Sequence, residues 1–331
     1  MTWRQLVILR FFKALLCLSA ITLGSGTVLA QPYPSKPLTL LVPYPAGGPT
    51  DVLARTLANA MEKNLAQPVV VDNTAGAGGT VGAAKVARAP ADGYTVLLHN
   101  LGMATSPTLY RKLPYNTDDL APVGIVATVP MVLLARNDMP AKNLAELVDF
   151  IKANPSKVNM GHSGIGSAAH LCGLLLQSSL QAKITPVAYR GAGLAMTDLI
   201  TGQIDVMCEQ VSSSASFVNT GKVKAYAITG RQHLPVLAQV PTFAEAGFPK
   251  VDVGVWHGLY VPRGTPQATI ERLSASLTEA LRDPELQRKF AELTAVMAAP
   301  AESRPESLRK LQAAEMERWS PIIRAAAEYA D

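Results

Sequence analysis

Two stretches concentrate residue types that could do chemistry. One runs from Val42 to Arg55, VPYPAGGPTDVLAR; the other from Val158 to Leu176, VNMGHSGIGSAAHLCGLLL. The second offers a hydrolytic reading: Ser163 as nucleophile, His170 or His162 as base, and an aspartate such as Asp205. A nucleophile elbow, GxSxG, would need glycine at 165, and that residue is Ile165; Gly166 stands one position late. Any such triad also needs its base within hydrogen-bond reach of the serine, which no spacing here supplies. The other chemistry is capture of an anion by main-chain groups. Where a strand ends and a helix begins, free N–H groups and the positive end of the helix dipole point at the same place. Ala46, Gly47 and Gly48 leave little side chain between a ligand and that backbone, and Thr50 and Asp51 stand where a helix cap belongs. Gly161, Ser163, Gly164, Gly166 and Ser167 repeat the arrangement. Histidines at 99, 162, 170, 233 and 257 form no HExxH or comparable cluster, so metal chemistry has no motif. GAGGTVG, Gly76 to Gly82, is not a dinucleotide fingerprint, because the third glycine of GxGxxG would fall at Val81; it reads as a flexible turn entering a helix near Thr80.

These turns need elements to hold them. Short apolar runs at Leu38 to Val42, Val69 to Val71, Thr95 to Leu98, Val123 to Leu134, Ile184 to Ala188, Ile204 to Met207 and Val223 to Ile228 read as strands. Between them lie amphipathic helical stretches. Thr50 to Leu65 sets Val52, Leu53, Leu57, Ala60, Met61 and Leu65 on one face, and Asn143 to Lys152 opens with a capping-box pattern, Asn143 then Glu146. Such alternation predicts an α/β fold with a largely parallel sheet. Val123 to Leu134 is long for a strand and carries Pro130, which a central strand rejects, so it is a candidate crossing between two lobes. Val251 to Pro262, VDVGVWHGLYVP, is a second. Two crossings make the first lobe discontinuous, residues 31–130 with 252–331, and leave 131–251 as the second. The tail reads as helices at Gln267 to Leu281, Glu285 to Leu293 and Pro305 to Tyr329.

Arg4, Arg10 and Lys13, an apolar run from Ala14 to about Val28, and small residues closing at Ala30 have the layout of a secretory signal peptide, so residues 1–30 are set aside from the fold. The rival, a membrane anchor, suffers from interruptions at Ser19, Thr22 and Gly24 to Thr27. The chain carries a formal charge of +5; without the leader's three cations, 27 basic side chains face 25 acidic ones, which gives nucleic-acid binding no support. About 300 residues outnumber one typical compact domain, in keeping with two lobes. Cys172 and Cys208 are the cysteines beyond the leader, and export permits a disulfide between them, with two buried thiols as the alternative.

In VPYPAGGPTDVLART, TAGAGGTVGAAKVARAPADGYTVLL, LPYN, GHSGIGSAAH, VAYRGAGLAMTDLITGQIDV, VPTFAEAG and WHGLYVPRGTP, in that order, the chain resembles the tripartite tricarboxylate transporter substrate-binding proteins, also called the Bug family after Bordetella uptake genes. The resemblance runs from about Tyr33 to beyond Pro266. It implies a two-lobed periplasmic solute-binding fold of the type II kind, each lobe a sheet flanked by helices, closing on a small organic acid, with no cofactor and no catalysis. It assigns a carboxylate loop to Tyr44, Ala46, Gly47, Gly48, Thr50 and Asp51, a second loop to Ser163, Gly164, Gly166 and Ser167, and Tyr189, Arg190, Gly191 and Asp205 to the same cleft. It implies a monomer that serves a membrane permease of the tripartite tricarboxylate type; a sensor feeding a signalling system is the other use. Asn73, Thr74 and Ala75 stand where relatives often show Arg-Pro before GAGG, and Gly173 where many carry a larger residue, so the outer pocket departs from the pattern.

Several of these residues have two readings. Asp51 either contacts ligand through water or caps its helix. Asp205 either favours an amino or hydroxyl group on the ligand or orders a loop by binding backbone N–H groups. Arg190 either pairs a distal carboxylate bidentately or lies solvated at the rim. Tyr44 walls the pocket or simply packs. Trp256 and His257 belong to the second crossing, as core and hinge support, and His170 reads as a helix residue that fixes the second loop.

Overall fold

The computed structural model describes residues 33–230, 233–327 and 329–330. The leader therefore lies outside the described residues. All the elements below belong to one compact unit that begins at Lys36. No helix among the described residues is long and apolar enough to cross a membrane.

The unit opens with β1 (Leu38–Val42), α1 (Pro49–Leu65), β2 (Val69–Asn73), α2 (Thr80–Ala87), β3 (Thr95–Asn100) and α3 (Gly102–Leu109). β1 pairs parallel with β2 on one side and with β3 on the other. Leu53, Leu57, Met61 and Leu65 recur every fourth residue along α1, which puts them in one buried row, and Ala66 in left-handed conformation stops the helix. Long β4 (Leu120–Arg136) follows, then α4 (Leu144–Ala153), β5 (Asn159–His162), α5 (Ala168–Leu180), β6 (Thr185–Ala188), α6 (Ala192–Ile200), β7 (Val206–Gln210), α7 (Val211–Asn219) and β8 (Val223–Ile228). Asn143 caps α4 as its sequence predicts, accepting from the Glu146 N–H at 2.9 Å while Glu146 reaches back to the Lys142 N–H at 2.8 Å. β9 (Gly254–Pro262), α8 (Gln267–Ala280), α9 (Pro284–Glu292), β10 (Val296–Met297) and α10 (Pro305–Ala326) complete the chain.

The α/β expectation holds, with a division of labour within the sheet. Its flanks are parallel, β2-β1-β3 at one end and β7-β5-β6 at the other, while β9 runs antiparallel to β3 and β4, and β4 runs antiparallel to β7, β8 and β10. Parallel pairs need helical crossovers and the flanks have them; the middle strands carry the chain back and forth and need none. Pro130 marks a change of partner. From Leu120 to Pro130, β4 pairs with β9; from Met131 to Arg136 it pairs with β7 and β8. Beyond that point its side chains alternate between two cores. Met131, Leu133 and Ala135 join the larger one, and Val132 and Leu134 join a second with Met196, Leu199, Met207 and Ile228. Cys172 on α5 and Cys208 on β7 form a disulfide with Cα atoms 6.2 Å apart, the first of the two readings above.

Candidate ligand-binding site

An open cavity of about 1300 Å³ lies at the carboxyl ends of β1, β5, β6 and β7. It is the place where α/β sheets gather ligands, because the strands end there and the following helices begin. A smaller space of about 10 Å³ beside His162 and His170 holds at most a water.

The turn from β1 to α1 forms one wall. Gly47 has φ +76°, a conformation glycine adopts without strain, and Gly48 is the residue before the helix, with Pro49 as its first residue. Thr50 and Asp51 therefore sit one and two positions inside α1 rather than at its cap. Asp51 is buried and faces inward. Its carboxylate accepts from the Gly47 N–H at 2.8 Å, Arg55 Nε at 3.0 Å and Asn73 Nδ2 at 3.0 Å, and Asn73 also donates to the Tyr44 carbonyl at 3.1 Å. Burial alone would raise the Asp51 pKa, but those hydrogen bonds outweigh it and hold the carboxyl below its usual range. Of the two readings of Asp51 the geometry fits the structural one: within the first turn of α1 it shapes the loop from behind and does not line the cavity. The Thr50 hydroxyl is hydrogen-bonded to His257 Nε2 at 3.1 Å, which ties the turn to β9. Tyr44 walls the cavity and donates its hydroxyl to Asn100 Oδ1 at 2.7 Å, with the His99 ring edge-on at 5.6 Å. Burial raises the Tyr44 pKa and lowers those of His99 and His257 to about 4, so this supporting layer is uncharged at neutral pH.

The turn from β5 to α5 forms the facing wall. Gly164 (φ +109°) and Gly166 (φ +81°) bend it, and Ser167 caps α5 by accepting from the His170 N–H at 3.2 Å. His170 Nδ1 accepts from the Gly166 N–H at 3.4 Å, so this histidine fixes the loop. Ser163, Gly164 and Ser167 line the cavity. Gly166 does not. A Cβ there would meet Leu109 Cδ2 at 2.9 Å, because this glycine packs against the end of α3. Tyr189, Arg190 and Gly191 follow β6 and also line the space; Tyr189 donates to Asp198 Oδ2 at 2.7 Å, and Arg190 is exposed at the rim.

Asp205 is the assigned residue that falls elsewhere. It stands just before β7, at the amino end of a strand whose carboxyl end meets the cavity, and is held by Arg136 Nε at 2.9 Å and the Asn159 N–H at 2.8 Å. Three strand residues separate it from Glu209, the first wall residue of β7, roughly 13 Å at 3.3 Å per step. It orders loops, and no triad of Ser163, His170 and Asp205 is assembled.

Sequence reading missed several wall residues. Gly76, Ala77, Gly78 and Gly79 border the cavity from the turn after β2, Asn100 from the end of β3, Tyr110 from the end of α3, and Glu209 and Gln210 from the end of β7. Tyr329 and Ala330 reach it because the Ala330 N–H donates to the Leu109 carbonyl at 2.9 Å. The signal that could have found Asn100, Glu209 and Gln210 is their place at the carboxyl ends of strands, where ligands gather. Arg190 and Glu209 are the charged side chains of the wall among the described residues. No group of three or more histidine, cysteine, aspartate or glutamate side chains able to hold a metal occurs among the described residues.

Comparison with known proteins places this geometry. A family model described as tripartite tricarboxylate transporter family receptor matches residues 53–327. A protein of Agrobacterium vitis from the TAR-I ttuE-ttuC' intergenic region is 43% identical over 292 residues, covering 88% of this chain and 84% of its own. Among solved structures, the periplasmic binding protein BugD is 39% identical with a TM-score of 0.84, over 90% of this chain and 100% of its own. MatC of Rhodopseudomonas palustris, solved with bound malate, is 36% identical with a TM-score of 0.82, over 88% and 100%.

Proposed function

Because the chain belongs to the tripartite tricarboxylate transporter receptor family, we propose that it is an extracytoplasmic solute-binding protein that captures a small organic acid in this cavity. One observation carries the reading: two glycine- and hydroxyl-rich strand-to-helix turns, after β1 and after β5, border one space whose wall has few charges. Main-chain N–H groups at such turns bind a carboxylate through hydrogen bonds and the helix dipole, without a committed cationic side chain. The bound malate of the MatC structure supports this ligand class.

The ligand-contacting set is Tyr44, Ala46, Gly47, Gly48 and Thr50 on one side and Ser163, Gly164, Ser167, Tyr189, Arg190 and Gly191 on the other. Asp51 and Gly166 hold those turns in shape. The two sides belong to two lobes, residues 31–130 with 252–331 and residues 131–251, and the change of partners along β4 at Pro130 supports that division. A cavity of about 1300 Å³ exceeds the roughly 300–1,000 Å³ of ordinary ligand pockets, which suits a cleft that narrows on binding. A ligand that touches both sides binds the closed form more tightly and shifts the population toward it. Periplasmic placement after loss of residues 1–30, and delivery of the acid to a membrane permease of the tripartite tricarboxylate type, accompany the family. The reading is one of capture without turnover.

A thermal-shift screen of the purified protein against organic acids tests it. An acid at 100 times its dissociation constant adds about 2.7 kcal/mol of stability, and mass spectrometry recovers it unchanged after incubation. An unshifted melting temperature across the acids, in protein shown to carry no co-purified ligand, overturns the reading, as does turnover of the acid.

A further inference from the structure

The end of β7 contributes two buried polar side chains to the cavity wall that the reading above does not use. Glu209 is 3% exposed and Gln210 is 6% exposed. Glu209 Oε1 is satisfied: it accepts from the Gln210 N–H at 2.9 Å and from the Ser213 hydroxyl at 3.2 Å. Glu209 Oε2 and Gln210 Oε1 are buried without a hydrogen-bond partner. Buried acceptors in folded proteins are nearly always paired, and an unpaired one costs its full desolvation penalty, so two adjacent ones in side chains that border the cavity require an account.

We propose that the β7 end of the cavity is a subsite for a hydrogen-bond donor on the ligand, with Glu209 Oε2 and Gln210 Oε1 as its acceptors. The ligand is then a carboxylate that also carries an ammonium or a hydroxyl group, rather than an unsubstituted acid. The inference rests on the carboxylate reading and narrows it. The turns after β1 and β5 present donors to one end of the ligand, and β7 presents acceptors to another part of it. No ion pair supplies a cation to Glu209 among the described residues, and Arg190, the wall's positive side chain, lies exposed at the rim. Burial pushes the Glu209 carboxyl up to about 7. Gln210 adapts to either donor, since its amide turns about its last torsion.

Calorimetry with matched acids tests the subsite: propionate against lactate and alanine, succinate against malate and aspartate, glutarate against 2-hydroxyglutarate and glutamate. In the wild-type protein the best-bound skeleton shows at least about a tenfold preference for a donor-bearing member over the unsubstituted acid, the scale of one buried acceptor left unpaired. Glu209→Leu removes that preference. Glu209→Gln keeps an acceptor of the same shape, so it retains the preference for a hydroxy acid and weakens that for an amino acid, whose charge it no longer meets. Equal affinity for substituted and unsubstituted acids in the wild type overturns the subsite and leaves the carboxylate reading standing. So does a preference that survives Glu209→Leu in a variant with a native circular dichroism spectrum. Failure of every acid to bind overturns both.

Discussion

Asp51 acts on the ligand at second hand, since it holds the Gly47 N–H, Asn73 and Arg55 in place beneath the turn. Asp51→Ala leaves those donors without their acceptor, which lowers stability by about 1–3 kcal/mol and weakens acid binding although the side chain touches no ligand; melting curves and calorimetry read both effects. The buried histidines set the response to pH. His99 and His257 titrate at about 4 in the folded protein and at about 6.5 when unfolded. The unfolded chain thus binds more protons between those values, and their contribution to stability is lost as pH falls from 6.5 towards 4. Glu209 opposes them, because its carboxyl titrates at about 7 when folded and at about 4.3 unfolded. Two histidines outweigh one glutamate, so the ligand-free protein melts lower at pH 5 than at pH 7. Glu209→Gln raises the melting temperature at pH 7.5, by up to about 3 kcal/mol in stability, and changes it little at pH 4. A wild-type melting temperature flat across pH 5 to 7 contradicts this assignment. At this scale the place of Gly47, Gly48 and Ser163 on the cavity wall was legible, because glycine and hydroxyl residues follow directly on an apolar run. Glu209 was not, since an acidic residue after VMC reads as the polar end of an ordinary strand. Asp205 entered the site only through the family resemblance; it stands just before Val206–Gln210, at the strand's amino end.

Elements meet across the cavity at one seam. Gly78, after β2, approaches the β5–α5 turn so closely that a Cβ would lie 2.6 Å from Tyr110 Oη and 2.8 Å from the Ile165 carbonyl. Tyr110 donates to that same carbonyl at 3.3 Å. Gly78→Ala forces these elements apart and also strains a residue at φ +61°. With overpacking worth about 1–3 kcal/mol, calorimetry is expected to show acid affinity roughly tenfold lower in a protein that still folds; unchanged affinity shows that the seam plays no part in binding. The Cys172–Cys208 disulfide ties α5 to β7 beside Glu209. It closes a span of 36 residues, so the double Cys→Ala variant is expected to lose about 3–4 kcal/mol by the loop-entropy relation, measured by denaturant melts. The junctions β1–α1 and β5–α5 were readable from apolar runs giving way to glycine and hydroxyl residues. Helix α3, GMATSPTL, was not: glycine and Pro107 interrupt it and no face is apolar, since its neighbours bury it nearly all round.

At the scale of the whole molecule, the crossing strands β4 and β9 lie side by side from Leu120 to Pro130 and from Gly254 to Pro262. In the proposed two-lobe reading they are the place where one lobe turns against the other. Pro130 marked in the sequence the place where β4 changes partners, because proline removes a ladder donor there. The antiparallel run of these strands did not show, since strand direction depends on which distant segments meet. Capture by closure makes one global demand: a bound acid draws the two turns together. Small-angle X-ray scattering of the purified protein, free and saturated with the acid that shifts its melting temperature most, tests it directly. The account predicts a smaller radius of gyration for the bound protein. An unchanged radius of gyration, with binding established by calorimetry on the same sample, contradicts it.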